Sequence, residues 1–418
     1  MPARARLRLA YFVFFFGHAA YWAFAPLHFE RLGFSGAQVG ALAAIGPLVG
    51  LFAQPWWGRR SDERQAPLRI IKANLLIAGA IALLLPFFDA FWPLVLGVAV
   101  FMFFQTPLGA LLNGVTLRAL GRDASGGFGR IRLYGSWGFT AGVLITGWIL
   151  QSAATDALFV FYTLSMLALA VLLWPKRDVP AAASATAFAT SAPATAASAA
   201  AASTALAAPA TPVTAAASER PRLRALLSQS AIAGVMAYSF LNEITMAGGN
   251  AFLSIYIDDL GGTESQVGAA HMVGSMACIP LFYFSKNLIE RFGAPAVLMI
   301  GTLASVARWA LTPLAQEPWT AIAVQLLHGP GFALTYAAAV SLVHALTPPE
   351  LSSSGQTAFA SLTVGLGGMI GGISAGLVVD YAGIRPLFFA CAALAALTLL
   401  AGPVLLRRVR PLERAQAA

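Results

Sequence analysis

A carboxylate and a guanidinium stand alone inside long apolar runs of this 418-residue sequence: Glu243 and Arg308. Holding a charge at the centre of a bilayer costs at least about 2.5–3.5 kcal/mol, so such a residue faces a partner or a wet cavity. Joined across a shared cleft, the two would neutralise each other, and a proton binding to or leaving Glu243 would break or remake the pair. That is chemistry for coupling proton movement to a change of shape. A static ion pair that holds the fold is the competing reading. His328 lies mid-run in similar surroundings, with His271 and His18 in two other runs. An imidazole suits a hydrogen-bonded core position, and its titration near neutrality also suits a proton relay.

Asn113, Arg130 and Arg132 gather where two apolar runs end and begin. Arg132 either projects inward, gripping a carboxylate or hydroxyl with its planar fork, or serves with Arg130 as an anchor at the membrane surface. The aromatic residues Tyr11, Phe14, Phe15, Tyr21 and Trp22 offer rings for an apolar cavity or for packing. The pattern holds no nucleophile–base set and no ligand cluster at one depth, so neither an enzyme nor a metal or cofactor site is expected. Gly365–Gly376 is glycine-rich but lacks the Lys-Ser/Thr of a phosphate loop. It reads as a small-residue face for close helix approach in lipid.

The elements that must position these residues follow from composition. The chain is 58% hydrophobic and 10% charged, with a mean hydropathy of +0.74; soluble domains average about 25% charged. A soluble enzyme of ordinary composition is excluded. Two cysteines, Cys278 and Cys391, make no disulfide framework. About 20 apolar residues suffice for a helix to cross a bilayer. Twelve such spans are expected, at 9–28, 38–57, 68–88, 91–113, 131–151, 156–174, 230–257, 265–285, 295–314, 318–340, 354–377 and 384–406. The runs are apolar on every side, which fits helices and not the alternating strands of a barrel. The fold class expected is an all-α membrane protein.

With the N-terminus placed inside, 23 of the 26 Lys and Arg fall on the cytoplasmic side; only Arg31 and Arg385 fall outside, and Arg308 lies within a span. This asymmetry predicts a multi-pass protein of the cell membrane with both termini cytoplasmic. It also accounts for the net charge of +9 without nucleic acid.

A shift of 228 residues aligns Leu27–Pro67 with Ile255–Pro295 without a gap: Leu32-Gly33 meets Leu260-Gly261, and Gln38-Val39-Gly40-Ala41 meets Gln266-Val267-Gly268-Ala269. A shift of 229 brings Gly138 and Gly142 onto Gly367 and Gly371. The chain therefore reads as two six-helix halves, 1–175 and 230–418. A linker, 176–229, joins them; its Pro180–Ser218 stretch is nearly all Ala, Ser, Thr and Pro and is expected to stay disordered in the cytoplasm. Duplicated halves of like orientation commonly enclose a substrate site near the midplane.

These features resemble the major facilitator superfamily. Gly58-Arg59-Arg60-Ser61-Asp62 after the second span matches the start of its loop signature. Within it, Phe128-Gly129-Arg130-Ile131-Arg132-Leu133-Tyr134-Gly135-Ser136-Trp137-Gly138 is similar to the phenylpropionate permease and lactose permease groups of proton symporters, as are Gln54-Pro55 and Leu327-His328-Gly329. The resemblance implies twelve helices in two pseudo-symmetric halves and secondary transport by alternating access. It implies proton coupling through Glu243, Arg308 and His328, substrate contacts at Arg132, Asn113 and Phe139, and a cytoplasmic gate at Gly58 and Asp62, which the internal repeat extends to Glu290. Tyr21 and His271 are expected as further substrate contacts from their place in the apolar runs. The sequence departs from sugar permeases, with Asn113 at their fourth-helix glutamate, Phe139 at their stacking tryptophan and Gly331 at their tenth-helix glutamate. No acid stands around Ser275–Cys278.

The expected function is proton symport of a small organic solute. The two cationic contacts that remain favour an aromatic or other organic acid; a sugar, oligosaccharide or nucleoside is the alternative. Drug export is disfavoured because the fifth span has no Gly-Pro pair, and a sensor because the linker is featureless. The expected partners are substrate, protons and the lipid bilayer, with no nucleic acid, and the expected working form is a monomer.

Overall fold

Helix follows helix along the chain with no strand between them in the computed structural model, which describes residues 3–120, 124–173, 230–348 and 351–409. The linker expected at 176–229 lies outside the described residues. Among these, α1 (Ala3–Arg31), α2 (Gly36–Arg64), α3 (Pro67–Leu84), α4 (Phe91–Gln105, resuming after Thr106 as Pro107–Leu120), α5 (Ala124–Leu150) and α6 (Ala157–Leu172) form the first set. The second set is α7 (Ser230–Asp259), α8 (Glu264–Phe292), α9 (Ala294–Leu311), α10 (Pro318–Leu346), α11 (Ser352–Ala382) and α12 (Ile384–Leu405). Ten of these helices are long and apolar enough to cross a membrane. The helices overrun the apolar runs: α1 extends the run 9–28 at both ends, and α2 carries 38–57 on to Arg64. Polar end residues continue the backbone hydrogen bonding beyond the apolar stretch.

The repeat seen in the sequence reappears in the turns. Ser35 accepts from the Gln38 amide while the Gln38 side chain accepts from the Ser35 amide, a reciprocal cap on α2. Thr263 and Gln266 build the same cap on α8. Just before each cap, Gly33 and Gly261 sit at φ +84° and +78°, a left-handed turn that costs glycine nothing.

The two sets touch through the same contact used twice. Gly36 and Gly40 of α2 lie against Gly376 and Gly372 of α11, so close that a Cβ on Gly40 would run into the Gly372 carbonyl. In the repeat-related place, Gly268 of α8 meets Val143 of α5, and Gly147 of α5 meets Glu264. Small residues let helix backbones approach where lipid offers no hydrophobic drive. Both crossings lie toward the end away from the N-terminus. Several hydrogen bonds and ion pairs join the sets there too. Arg31 pairs with Asp258 at 2.7 Å and Glu264 at 2.8 Å. Asp380 accepts from Ser35 Oγ and the Ala37 amide, both at 2.9 Å, and Ser254 Oγ donates to the Ala23 carbonyl at 2.6 Å. A carboxylate at the start of α2 also meets the positive end of its helix dipole. The molecule is closed at this end.

Two helices of the second set are irregular. α10 passes through a 3₁₀ turn at Gln325–Leu327 and a π turn at Gly329–Leu334; α11 has a π turn at Ser361–Gly367. Pro330 supplies no N–H for a regular turn, and such departures in mid-helix frequently mark functional sites.

Candidate functional site

Between the sets lies a cavity of about 1320 Å³, counting space open to solvent. The first set contributes His18, Tyr21 and Trp22 from α1, Gln54 from α2 and Gln105 from α4. The second contributes Glu243 and Asn250 from α7, and His328 and Phe332 from α10. Apolar walls with a few placed polar groups are what a small-molecule site looks like. Glu243 is the sole acid of that lining.

Glu243 and Arg308 do not meet, contrary to the pairing that the sequence suggested. Arg308 Nε and Nη2 donate to Gln325 Oε1 at 2.9 and 2.7 Å, and Nη2 also donates to Asn250 Oδ1 at 2.9 Å. Its Nη1 donates to His328 Nδ1 at 2.9 Å, and the guanidinium carbon lies 4.0 Å from the centre of the Trp309 ring. Asn250 is two helical turns, about 10 Å of rise, beyond Glu243 on α7, which is why one arginine serves it and not the acid. Arg308 is 2% exposed, and these hydrogen-bond partners are all neutral.

That contact fixes the state of His328. Arginine has donors and no acceptor, so Nδ1 must accept; the ring is neutral with its proton on Nε2. Nε2 is buried with no partner among the described residues, and the ring lines the cavity. His328 is thus a donor polarised from behind by a guanidinium, rather than a base free to take a proton.

Behind Asn250 and His328 lies a smaller chamber of about 250 Å³, counting space open to solvent, lined also by Arg308, Gln325, His271 and Phe139. His271 Nε2 is 3.0 Å from Ser254 Oγ, and Trp22 stands edge-on to both His271 and Phe139. Of the expected substrate contacts, Tyr21 reaches the main cavity and His271 and Phe139 reach only this chamber. Arg132 and Asn113 line neither. Arg132 is buried with its guanidinium 4.1 Å from the Phe15 centroid and 5.6 Å from that of Tyr11, whose hydroxyl donates to Asn113 at 2.6 Å. The projection of Arg132 into the cavity is therefore absent in this conformation, because aromatic faces of α1 occupy its fork.

At the end carrying the N-terminus, Asp62 pairs with Arg118 of α4, within its own set. Glu290 lies 3.7 Å from Lys286 on its own helix, and Gly58 has open space around it. None of the three bridges the sets here. Sequence reasoning missed Asn250, Gln325, Gln105 and the Arg31–Asp258–Glu264–Asp380 closure. The closure residues were visible only as outer charges beside the two repeat turns. His18 Nδ1 lies 2.6 Å from Gln105 Nε2.

Among the described residues, two sets of long apolar helices enclose a cavity, the arrangement of a membrane transporter, and comparison with known proteins agrees. The chain belongs to the MFS_1-like family, whose model matches residues 4–390, within the major facilitator superfamily. It is 25% identical to a maltose permease of Geobacillus stearothermophilus over 86% of this chain and 83% of the relative. It is 24% identical to a probable 3-phenylpropionic acid transporter of Escherichia coli (strain K12) over 90% and 91%. The crystal structure of the nucleoside transporter NupG superposes with a TM-score of 0.80 at 16% identity, covering 97% of this chain and 99% of that one; the likeness is one of fold. The protein is a multi-pass transporter and not an enzyme.

Proposed function

We propose that the protein is a proton-coupled symporter of a small organic acid, in particular an aromatic one, working by alternating access. The two six-helix halves rock about the cavity, and this conformation has the outer end shut, with the cavity serving the cytoplasmic side. The Lys and Arg asymmetry supports that orientation.

The observation that carries the substrate class is Arg308, a buried guanidinium with only neutral hydrogen-bond partners in its network. A positive charge at this depth is costly, and a bound carboxylate offsets that cost. His328 Nε2–H and the Asn250 amide stand between Arg308 and the cavity and carry its polarity to a ligand there, since a charged donor strengthens the hydrogen bonds beyond it. Tyr21, Trp22 and Phe332 provide ring faces for the rest of the molecule. Glu243, the carboxylate of the cavity, carries the proton. Loading it removes a negative charge as the substrate brings one in, so both cross together without building up net charge.

A second reading, a neutral sugar or nucleoside, draws on the cavity lining itself: His18, Gln54, Gln105 and Asn250 are neutral hydrogen-bonding groups, and no arginine is among them. Proton flux into vesicles containing the purified protein separates the two. Addition of phenylpropionate-like acids should bring protons in with the acid, while sugars and nucleosides leave the internal pH unchanged. Flux with a neutral solute and none with acids would establish the second reading, and flux with no solute of any class would end the symport account.

A further inference from the structure

We propose that Glu243, together with Asn242 and Ser239, forms a sodium site, so that a sodium ion and the coupling proton compete for one carboxylate. This deepens the coupling role given above to Glu243 and rests on it.

Ser239, Asn242 and Glu243 are spaced i, i+3, i+4 and so share one face of α7. They line a space of about 440 Å³, counting space open to solvent, between α7, α9, α10 and α11, distinct from the chamber around Arg308. Asn242 and Ser239 are 6% and 8% exposed, and Asn242 Oδ1 and Ser239 Oγ have no hydrogen-bond partner among the described residues. A buried oxygen left unpaired carries its full desolvation cost, so two beside a carboxylate call for an occupant. Thr335 Oγ1 donates to the Gly331 carbonyl at 2.6 Å and Thr363 Oγ1 to the Phe359 carbonyl at 2.8 Å. Their hydrogens are committed to their own helices, which leaves lone pairs available to a cation.

The backbone points the same way. The π turns of α10 and α11 both border this space, through Phe332 on one and Thr363 and Val364 on the other. Irregular backbone at membrane depth is tolerated where it is enclosed by protein or lines a cavity, and transporters use interrupted helices to coordinate coupling ions.

Charge and donor type select the ion. Carboxylate, amide and hydroxyl oxygens suit hard cations. With one carboxylate, a monovalent ion leaves the site neutral, whereas a divalent ion would leave a buried positive charge. Tyr336 from α10 is the other titratable group facing the space, and α9 and α11 bring only Leu298, Phe359, Thr363 and Val364 to it. On the side of the main cavity, Glu243 shares its lining with His18 and Tyr21 of α1 and His328 of α10.

The test uses the full-length protein in lipid vesicles and a hydrophobic carbodiimide, which adds to protonated carboxyl groups in apolar surroundings. Glu243 modification is read by peptide mass spectrometry in sodium chloride and in choline chloride of equal ionic strength. Sodium should slow the reaction along a saturation curve, reaching roughly tenfold at ten times its Kd. Asn242→Leu should remove that protection while Glu243 remains reactive in choline. Equal rates in sodium and choline would overturn the proposal. If proton-driven uptake in sodium-free buffer accompanies those equal rates, only the sodium site falls and proton coupling stands. Sodium protection without any proton-driven uptake would support the site and remove the proton role instead.

Discussion

Replacing Arg31 by Gln should loosen the closed end by an amount that its geometry sets. Arg31 makes two ion pairs between the sets, at 2.7 and 2.8 Å, with side chains of Arg31, Asp258 and Glu264 that are 35%, 30% and 16% exposed. Solvent-accessible pairs contribute about 0.2–1 kcal/mol each, so the two together favour closure by about 1 kcal/mol. The ratio of closed to open molecules then falls about fivefold in Arg31→Gln, since 1.4 kcal/mol corresponds to tenfold. Both native cysteines, Cys278 and Cys391, are buried, which keeps background labelling low. Ala251 lines the cavity on α7. In an Ala251→Cys background, a membrane-impermeant maleimide applied from outside should react about fivefold faster with Arg31→Gln than with Arg31, and Arg31→Lys should lie between them. An unchanged rate in Arg31→Gln would refute the assignment of this cluster as the outer closure.

The same labelling assay tests the helix crossings. Gly40→Leu places a side chain against the Gly372 carbonyl and should hold the outer end open, with fast external labelling and lost uptake; wild-type uptake would show that α2 need not seat on α11. Gly268→Leu, at the repeat-related position against Val143, should do the same. Gln325→Leu strips the acceptor from Arg308 Nε. Hydrogen bonds to charged groups are worth about 1.5–3 kcal/mol, so the unfolding temperature of the purified protein should drop by about 2–3 °C; an unchanged temperature would mean that Arg308 is held by its other contacts alone. Gln325→Glu gives Arg308 a built-in counter-ion and should weaken organic-acid binding while the fold survives; undiminished acid binding would argue that Arg308 does not attract the substrate.

Hydropathy made the helices legible because burial of an apolar run in lipid is a strong and non-directional preference. The repeat was legible in the loops, where Gln38 and Gln266 turn out to complete equivalent caps. Polar partnerships were harder to read. Glu243 and Arg308 looked complementary by charge, yet neutral amides, Asn250 two turns further along α7 and Gln325 on α10, satisfy the arginine. An amide inside an apolar run carries no signal as loud as a charge, and the 3₁₀ and π turns that aim Gln325 and His328 change the register that a regular helix would give. Arg132 was read by its charge, whereas the faces of Phe15 and Tyr11 claim it. The Arg31 cluster was seen only as a contribution to charge asymmetry, because the contact joins residues more than 220 positions apart.

The central claim is that Glu243 is where ion movement and solute movement are tied together. Vesicles containing Glu243→Gln, loaded with substrate and given an inward proton gradient, test it most directly. The account predicts that gradient-driven accumulation is lost while exchange of internal for external substrate continues. Accumulation equal to that of the wild-type protein would contradict it.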